Sequence, residues 1–436
     1  MDALTWWTGG LLVAGVVLPF YWRHMRRERR AERAATVARE HGLHQPVTIH
    51  PVVRAEACIG IGNCLSVCPE GEVLGLQDGQ AIAISPAKCI GHGLCERSCP
   101  MRAIELVFGT ATRGVELPRI KENFETNVPG IFVIGELGGM GLIRNAFEQG
   151  RQCIDGIAKS GVRGRPGMVD VLVVGCGPAG LAAALNCLHR GLSYTVIEKE
   201  DVGGTVRHYP RRKLVMTAPV TVPGYGKLRF REVRKEELVN VWEDVVRSTG
   251  LEVQTGEAVE GVTPLAGGGF TVTSDRGAYR ARHVVLAIGR RGVPRKLGVP
   301  GEDRPKVMYS LREPEAFRNQ QILVVGGGDS AVEAALALAA QDNEVSISYR
   351  RDAFSRIKDG NRKRIDAAIR RGDVAVLWST TVVEIADDIV TYRNGGTGAQ
   401  ALPNDQVFIF AGGVLPTKFL QSCGIQIDVK FGSPLN

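Results

Sequence analysis

The sequence has no arrangement of acidic, histidine and nucleophilic residues that is typical of acid–base catalysis, so it offers no candidate catalytic residue. It also lacks the positively charged segment and the small-residue cleavage site of a secretory signal peptide, which excludes that class of leader. No Cys-x-x-Cys pair occurs after residue 100. The four cysteines in that part of the chain are scattered, and we expect them to be small packing residues: Cys153, Cys176, Cys187 and Cys423.

The amino terminus is apolar, since residues 3–22 contain no charged side chain. A helix of about 20 apolar residues can span a bilayer. Aromatic residues stand at both ends of the stretch, as in membrane proteins: Trp6, Trp7, Tyr21 and Trp22. Residues 23–40 follow with seven arginines and three glutamates. This pattern predicts a transmembrane helix, then a basic juxtamembrane helix or linker, and a single-pass protein of the inner (cytoplasmic) membrane with its remaining domains in the cytoplasm.

Six of the ten cysteines fall between residues 58 and 99, in two loops that start 31 residues apart. The first loop reads CIGIGNCLSVCP and the second reads CIGHGLCERSCP. Both follow the iron–sulfur ligand pattern Cys-x2-Cys-x2-Cys-x3-Cys-Pro except at its second ligand position. That position is Ile61 in the first loop and His92 in the second.

Two such loops, each closed by Cys-Pro, resemble a bacterial-type two-cluster ferredoxin domain over residues 49–108. In that family the fourth cysteine of each loop ligates the other cluster. The resemblance therefore implies two ligand sets, each drawn from both loops. They are Cys58, Ile61, Cys64 and Cys99 at the first site, and Cys89, His92, Cys95 and Cys68 at the second site.

The two sites are expected to differ. Histidine can ligate iron through a ring nitrogen, so a four-iron cluster is expected at the second site. Isoleucine has no donor atom, and the first site therefore offers three thiolates. That number suits a three-iron cluster, a four-iron cluster with one open iron, or no cluster. Six retained cysteines argue against the alternative that both loops are empty.

A dinucleotide-binding pattern begins at residue 169 with VDVLVVGCGPAGLAAALNCLHRGLSYTVIEKE. An apolar strand over 171–174 leads into Gly175, Gly177 and Gly180, and a second strand ends at Glu198. In this fingerprint the glycines allow the pyrophosphate to approach the start of a helix, and the acid binds a ribose hydroxyl. The pattern therefore predicts a nucleotide site.

A second copy of the pattern begins 151 residues later with Gly326, Gly328 and Ala331. Its second strand ends in basic residues instead of an acid: Arg350, Arg351 and Arg356. Arginines at this place accommodate the 2′-phosphate of NADP. The alternative is that they form a solvated basic turn.

Two such folds in one chain resemble the pyridine nucleotide-disulfide oxidoreductase family, and GGGDSA with YRRDAFSR is close to the NADPH signature of thioredoxin reductases. The resemblance covers about residues 110–436 and implies FAD at the first fold and NADPH at the second. Thioredoxin reductases carry Cys-x-x-Cys just before the second fingerprint, and bacillithiol-disulfide reductases use a cysteine at the position of Ala179. Neither is present, so we expect Cys176 to be an ordinary loop residue.

In such relatives the segment that closes the FAD domain follows the NADPH domain. Here the matching residues lie earlier, at 125–159, which indicates a circular permutation. We therefore expect the strand over 131–134 to join the sheet of strand 171–174 and to place Gly135 and Glu136 at the FAD. The carboxyl-terminal segment from about residue 413 should pack near residues 110–126.

The expected fold class is α/β, with two Rossmann-like dinucleotide-binding domains for FAD and NADPH, a small ferredoxin-like α+β domain and an amino-terminal transmembrane helix. The expected domains are 1–22 (anchor), 23–48 (basic helix or linker), 49–108 (ferredoxin-like), 109–167 (closing segment), 168–292 (FAD), 293–412 (NADPH) and 413–436 (return segment). This organisation predicts an oxidoreductase that moves electrons between NADPH and a redox protein or membrane carrier. Alternatives are a thiol or disulfide reductase and a non-enzymatic sensor. Nucleic acid is not an expected partner, and a homodimer is left open.

Overall fold

The computed structural model describes residues 3–40, 43–46, 49–139, 141–216, 219–230, 232–290, 293–354, 357–395 and 398–434. The chain folds into two compact units. Unit 1 extends to Val115 and includes the segment from Lys430, whereas unit 2 is Glu116–Val429. Both cysteine loops therefore belong to unit 1, and both glycine fingerprints belong to unit 2.

Unit 1 is built on two antiparallel strand pairs, β1 with β4 and β2 with β3. Its described elements are α1 (Ala3–Glu40), β1 (Ile49–Val53), α2 (Asn63–Ser66), β2 (Leu74–Gln77), β3 (Gln80–Ala83), α3 (Leu94–Ser98) and β4 (Ile104–Phe108). Gly62 and Gly93 precede the short helices α2 and α3, and both have left-handed backbone conformations that favour glycine. The two cysteine loops thus share one backbone geometry, as expected of a repeat.

The predicted transmembrane helix is not found. Among the helices that the structure describes, none combines the length and the apolar content that crossing a bilayer requires. The apolar stretch is part of α1, which continues through the arginine-rich segment to Glu40, and half of residues 3–22 are Gly, Thr, Pro, Tyr or Trp. The predictions of an anchor over 1–22, a juxtamembrane role for 23–48, a location in the inner membrane and a membrane partner are therefore wrong.

The carboxyl-terminal half of α1 packs on the β2–β3 hairpin of unit 1. Ala31 is buried there, and a Cβ atom on Gly75 of β2 would lie only 2.8 Å from the Cβ of Ala31. Glu28 accepts a hydrogen bond from the backbone N–H of Gly79, with an N···O distance of 3.1 Å. The arginine-rich segment is therefore fixed against the cysteine-bearing part of the chain.

The remaining elements begin at the boundary of unit 2 and follow in chain order. They are β5 (Val115–Pro118), β6 (Ile131–Val133), α4 (Ile143–Ser160), β7 (Val169–Val174), α5 (Pro178–Arg190), β8 (Tyr194–Glu198), β9 (Leu214–Met216), β10 (Val220–Val222), β11 (Gly226–Leu228), β12 (Glu232–Arg234), α6 (Lys235–Thr249), β13 (Gln254–Thr255), β14 (Val259–Pro264), β15 (Phe270–Ser274), β16 (Ala278–Leu286), β17 (Val293–Pro294), β18 (Val307–Met308), β19 (Gln321–Val325), α7 (Asp329–Ala339), β20 (Glu344–Tyr349), α8 (Asp359–Arg371), β21 (Val374–Trp378), β22 (Thr380–Ile385), β23 (Ile389–Asn394), β24 (Ala399–Pro403), β25 (Gln406–Ile409), β26 (Gly413–Val414), α9 (Thr417–Ser422) and β27 (Ile427–Lys430).

The first sheet of unit 2 has five parallel strands in the order β13-β8-β7-β16-β6. Strands β14 and β15 extend it as an antiparallel meander on the other end of β16. The expectation that the strand near 131–134 joins the sheet of β7 is confirmed, because β6 and β7 both pair with β16. The segment that contains β6 precedes the first glycine fingerprint in the chain, and it thus adds a strand to the sheet that contains β7.

Helix α4 packs closely on α5, the helix that follows the first glycine loop. The contact depends on Gly150, because a Cβ atom there would lie 2.3 Å from the backbone oxygen of Ala179 and 2.9 Å from the backbone nitrogen of Ala183. Backbone atoms cannot move aside as a side-chain end can. The hydrophobic core therefore includes residues of α4, such as Phe147 and Ile154.

We expect Gly150→Ala to lower the free energy of unfolding of the holoprotein by about 2 kcal/mol, a usual cost of overpacking. Unfolding in urea would measure this change, with the rise in flavin fluorescence on release of FAD as the signal. Gly156→Ala on the same helix is the matched control, because a Cβ atom there meets nothing within 4 Å. Alanine should stabilise that site by up to about 1 kcal/mol. Equal effects of the two variants would contradict the close α4–α5 contact.

The second sheet has five parallel strands in the order β18-β25-β19-β20-β21. Its central strand β19 leads into the second fingerprint, and α7 follows. Strands β22, β23 and β24 form an antiparallel meander beside it. Each sheet is thus a parallel sheet with an attached meander, and the two have the same plan.

The end of the chain returns to the first sheet, as predicted. Asn127 donates a hydrogen bond to the carbonyl of Gly424 at 2.9 Å, and its side-chain oxygen accepts one from the N–H of Gln426 at 2.8 Å. Arg119 binds Asp428 at 2.7 Å. The segment after β26 therefore packs on the residues that precede β6.

Candidate nucleotide and iron–sulfur sites

A cavity of about 710 Å³ lies in unit 2 and is lined by residues of both dinucleotide-binding folds. Five of the predicted cofactor residues line it: Gly135, Glu136, Gly175, Gly177 and Glu198. Residues of the second fold, including Ser330 and Glu333 of α7, line the same cavity. The cavity is therefore large enough, and suitably placed, for reacting groups from two nucleotides to meet.

The first glycine loop has the geometry that the fingerprint requires. Gly175 has a left-handed φ of +97°, and a Cβ atom there would lie 2.7 Å from the backbone oxygen of Ala287. A Cβ atom on Gly180 would lie 1.8 Å from the backbone oxygen of Gly175. Gly177 is the residue before α5, so the start of that helix faces the cavity. This arrangement fits a pyrophosphate at the helix amino terminus.

Glu198 is held at the end of β8 by backbone groups. Its two carboxylate oxygens accept hydrogen bonds from the N–H groups of Cys176, at 2.6 Å, and Glu200, at 2.9 Å. It is buried yet lines the cavity. The carboxylate is therefore fixed in direction, which suits a ribose hydroxyl donor.

The closing segment meets this loop directly. Gly135 follows β6 with a left-handed φ of +76°, and a Cβ atom there would lie 2.9 Å from the Cβ of Ala179. Its N–H donates to the Oε1 atom of Gln149 at 2.7 Å. Glu136 lines the cavity beside it. Residues from 125–159 and from the first fingerprint thus form one site, which fits FAD.

Several polar residues of this site were not predicted. Lys213 and Glu333 form an ion pair of 2.8 Å, and Arg312 contacts His208 with an N···N distance of 3.0 Å. All four line the cavity. Burial lowers the pKa of Arg290, while Glu136 acts in the opposite direction. The partners in each contact lie more than 100 residues apart, so no local sequence pattern could reveal them.

The second fingerprint is formed at the end of β19. Gly326 has a φ of +146°, and a Cβ atom there would lie 2.6 Å from the backbone oxygen of Phe410. Gly328 precedes α7, and Ala331 is fully buried in that helix. The loop and the helix amino terminus again form a site for a pyrophosphate.

The predicted 2′-phosphate residues follow the neighbouring strand β20. Because β19 and β20 pair in parallel, their carboxyl ends meet at one edge of the sheet. Arg350 is exposed and Arg351 is half-buried, whereas Arg356 lies outside the described residues. Just before them, Tyr349 stacks on Phe354 with 5.7 Å between the ring centroids. The turn that carries the arginines is thus anchored by aromatic packing.

The cysteines of unit 1 gather in two groups. One small cavity is lined by Cys58, Ile61, Cys64 and Cys99. A separate one is lined by Cys68, Cys89, His92 and Cys95. Each group draws residues from both loops, in the two sets that the ferredoxin resemblance implied.

The surroundings of these thiols suit thiolate ligands of a metal cluster. Burial, with smaller effects of neighbouring cysteines, raises the pKa of Cys64 and of Cys89 to about 11. Thiolates in such places need a compensating positive charge, which a cluster supplies. Backbone N–H groups already point at sulfur atoms, from Ala81 to Cys58 and from Ala103 to Cys99, each at 3.3 Å.

In the described part of the chain, no three His, Cys, Asp or Glu side chains are placed to hold a single metal ion. A cluster sets several iron atoms between its thiolates, so its ligands stand farther apart than the ligands of one ion. The grouping of cysteines around two cavities fits clusters better than single ions.

The cysteines of unit 2 are of another kind. All four are at most 5% exposed: Cys153, Cys176, Cys187 and Cys423. Burial raises the pKa of each thiol above its usual value. Because the thiolate is the reactive form, these residues are poor redox centres. Cys176 is thus a packing residue of the glycine loop.

Fold and sites together define a flavoprotein class with two dinucleotide-binding folds. Residues 172–435 match the family described as pyridine nucleotide-disulphide oxidoreductase, and residues 50–100 match the 4Fe-4S dicluster domain. The first match covers more than half of the chain, and the chain belongs to the pyridine nucleotide-disulphide oxidoreductase family. It is an electron-transferring, FAD-dependent NAD(P)H oxidoreductase, and its cofactors are FAD, NADPH and iron–sulfur clusters.

The chain is similar to a ferredoxin–NADP reductase from Ignicoccus hospitalis, with 34% identity over 276 residues, which is 60% of this chain and 83% of the relative. It is 28% identical to a bacilliredoxin reductase from Bacillus subtilis over 268 residues, covering 60% and 82% of the two chains. Among solved structures, bacillithiol disulfide reductase from Staphylococcus aureus is similar, with a TM-score of 0.56 and 28% identity, covering 60% of this chain and 81% of that chain.

Proposed function

We propose that this protein passes electrons from NADPH, through FAD in unit 2, to the iron–sulfur clusters of unit 1 and from there to a separate redox protein. Bound FAD supplies the step that converts a two-electron hydride donor into a source of single electrons. The protein binds and orients the groups that react.

The burial of every cysteine in unit 2 carries this proposal. A disulfide reductase needs an accessible thiol beside its flavin, and within the described residues the large cavity is lined by none. The remaining cysteines form two groups that suit clusters. The similarity to a relative that is named ferredoxin–NADP reductase also supports electron transfer to an iron–sulfur protein. The thiol-reductase alternative is therefore disfavoured.

Each predicted residue receives a role in this proposal. Gly175, Gly177 and Gly180 bind the FAD pyrophosphate through backbone groups, and Glu198 binds its ribose. Gly135 and Glu136 contact the flavin end of the same cofactor. The second fingerprint binds NADPH in the same way: Gly326, Gly328 and Ala331 shape the loop, and Arg350, Arg351 and Arg356 bind the 2′-phosphate.

The closing segment adds a structural argument. The match to the family begins at residue 172, yet β6 joins the first sheet and α4 packs on α5 from before that point. We interpret this as a circular permutation of the FAD domain. Its consequence is that the cysteine-bearing unit is joined by a short stretch of chain to the strand that leads to Gly135.

An anaerobic titration of the holoprotein with NADPH tests the proposed function. We expect the flavin absorbance to bleach and an electron paramagnetic resonance signal of reduced clusters to appear, with no change in the number of accessible thiols. Iron-depleted protein is the control, in which only the flavin should be reduced. If the clusters instead stayed oxidised after NADPH was added, and the number of accessible thiols rose by two, the protein would be a disulfide reductase.

A further inference from the structure

Another cavity of unit 2 lies apart from the nucleotide site. Its volume is about 590 Å³, and it shares no lining residue with the cavity of about 710 Å³. We name it the basal cavity. It lies where β6 begins, whereas the nucleotide site lies beyond the other end of that strand. Its walls come from the start of β6, the end of α4 and the strands β15 and β16, and they include Gly130, Ile157, Phe270, Arg282 and His283.

The charged residues that line the basal cavity leave an excess of positive charge. They are Glu125, Lys159 and Arg282. The carboxylate of Glu125 is already bound, since it accepts a hydrogen bond from Lys121 at 2.8 Å and another from the N–H of Gly130 at 3.0 Å. Within the described part of the chain, no carboxylate pairs with Lys159 or Arg282. An occupant that balances these two cations is an anion.

The chain leaves space for the guanidinium of Arg282. A Cβ atom on Gly268 would lie 2.4 Å from the Nη1 atom of Arg282, and Gly268 has a left-handed φ of +85°. Arg282 itself is half-buried on β16. The guanidinium is therefore held at the cavity wall by the glycine turn. A planar carboxylate can accept two hydrogen bonds from such a group.

His283 forms a buried polar part of the cavity wall. The residue is 8% exposed, and neither ring nitrogen has a hydrogen-bond partner among the described residues. Burial lowers the pKa of His283, with a smaller effect of Arg282 in the same direction. The backbone of Val162 and the carboxylates of Glu125 and Asp170 act in the opposite direction. Buried polar side chains almost always have a partner, and the cavity has room for one.

Aromatic rings form the apolar part of the wall. Phe132 meets the ring of His283 edge to face, with 5.9 Å between the centroids. Phe270 packs against the backbone at Gly130, where a Cβ atom would lie 2.9 Å from its ring. Sites for small molecules have volumes of about 300–1,000 Å³ and combine apolar walls with a few placed polar groups. The basal cavity has this composition.

We propose that the basal cavity binds a small organic acid, that is, an apolar ring that carries one anionic group. The ring packs on the aromatic wall, the anionic group binds Arg282 and Lys159, and His283 gains a polar partner. Because no lining residue is shared with the nucleotide site, the acid can be bound together with FAD and NADP⁺. The inference does not depend on the proposed electron transfer.

The flat aromatic carboxylate 2-naphthoate probes this site. Isothermal titration calorimetry uses the holoprotein with FAD bound and NADP⁺ in excess, so that the nucleotide sites are filled. We expect one equivalent of 2-naphthoate to bind with a Kd below about 1 mM. Its neutral analogue 2-naphthamide should bind about tenfold more weakly, because it lacks the charge. Equal binding of the two probes, or no binding of the acid, would overturn the proposal.

The variant Arg282→Gln locates the bound probe. It should weaken the binding of 2-naphthoate about tenfold and leave the binding of 2-naphthamide unchanged. Arg280→Gln is the matched control, since Arg280 is an exposed arginine on the same strand that does not line the cavity. It should bind both probes as the parent does. Unchanged binding of 2-naphthoate to Arg282→Gln, or an equal loss in the two variants, would refute the site.

The variant His283→Phe separates packing from binding. It keeps an aromatic ring against Phe132 and removes the two nitrogen atoms that lack partners. Without the probe it should be at least as stable in urea as the parent. It should nevertheless bind 2-naphthoate about fivefold more weakly, as expected for the loss of a neutral hydrogen bond. Parental affinity in this variant would contradict the proposed role of His283.

Discussion

Replacing both Arg350 and Arg351 with glutamine is expected to raise the KM for NADPH about 100-fold and to leave the KM for NADH within about twofold. A charge-assisted hydrogen bond contributes about 1.5–3 kcal/mol, and a tenfold change corresponds to about 1.4 kcal/mol. NADH has no 2′-phosphate, so the loss falls on NADPH alone. Steady-state reduction of a dye with each nucleotide measures the effect.

The position of these arginines allows their charges to be removed without disturbing the packing of the turn. Arg350 is exposed, and the turn is held from beneath by Tyr349, Phe354 and Trp378, whose rings are in mutual contact. Removing the charges should therefore leave the fold of the second sheet intact. Phosphate recognition and structural support are carried by different residues.

Arg364→Gln is the matched control, since Arg364 is an exposed arginine on α8 that is not part of either fingerprint. It should leave both KM values unchanged. The parent protein should prefer NADPH over NADH. Equal use of the two nucleotides by the parent, or equal losses in the double variant, would contradict the assignment and favour a solvated basic turn.

Local patterns in the sequence were sufficient for the glycine loops. Gly175, Gly180 and Gly326 each occupy a place where a Cβ atom would collide with the backbone. The colliding atom belongs to a distant residue for Gly175 and Gly326, namely Ala287 and Phe410. The glycines of one loop nevertheless lie within six residues of one another, so they leave a fixed spacing in the sequence.

The closing segment could be located because residues 125–159 resemble the segment that closes the FAD domain in related proteins. The structure shows its strand, Ile131–Val133, as a buried apolar run that leads to a glycine with positive φ.

The role of α1 could not be read in the same way. Its described buried residues include Ala31 and Ala38, which pack in unit 1. Alanine is common on any helix, so this stripe gives a weak signal, whereas the uncharged residues 3–22 give a strong one. Hydropathy describes one segment at a time and carries no information about the partner on which a helix packs.

Contacts between distant residues were also beyond prediction. The pairs Lys213–Glu333 and His208–Arg312 line the large cavity. Each pair joins two polar side chains that come from different dinucleotide-binding folds. Charged residues of this kind are ordinary on a surface. Only the fold reveals that they share one cavity.

The second large effect is expected from substitution of the cluster ligands. It tests whether a cysteine serves the cavity that it lines, even when its loop in the sequence belongs to the other cavity. Cys68 belongs to the first loop but lines the second cavity, and Cys99 belongs to the second loop but lines the first. We expect Cys68→Ser to abolish the signal of the second cluster and to spare the first. Cys99→Ser should do the reverse. Iron content and electron paramagnetic resonance of anaerobically purified protein measure both.

The complementary variant, Ile61→Cys, adds a fourth thiolate to the first site. Ile61 lines the cavity with three cysteines and is half exposed, so the new side chain has room to turn toward a cluster. Four cysteines complete the ligand set of a four-iron cluster. We expect a new four-iron signal to appear. The iron content should rise by one atom if the parent holds a three-iron cluster and by about four if the site is empty, and should stay the same if the parent holds a four-iron cluster with one open iron. Ile59→Cys is the control, because Ile59 is an exposed apolar residue that lines the same cavity but lies outside the ligand spacing. It should change neither the iron content nor the spectrum. An Ile61→Cys protein with the iron content and spectrum of the parent would mean that the first group of cysteines does not hold a cluster.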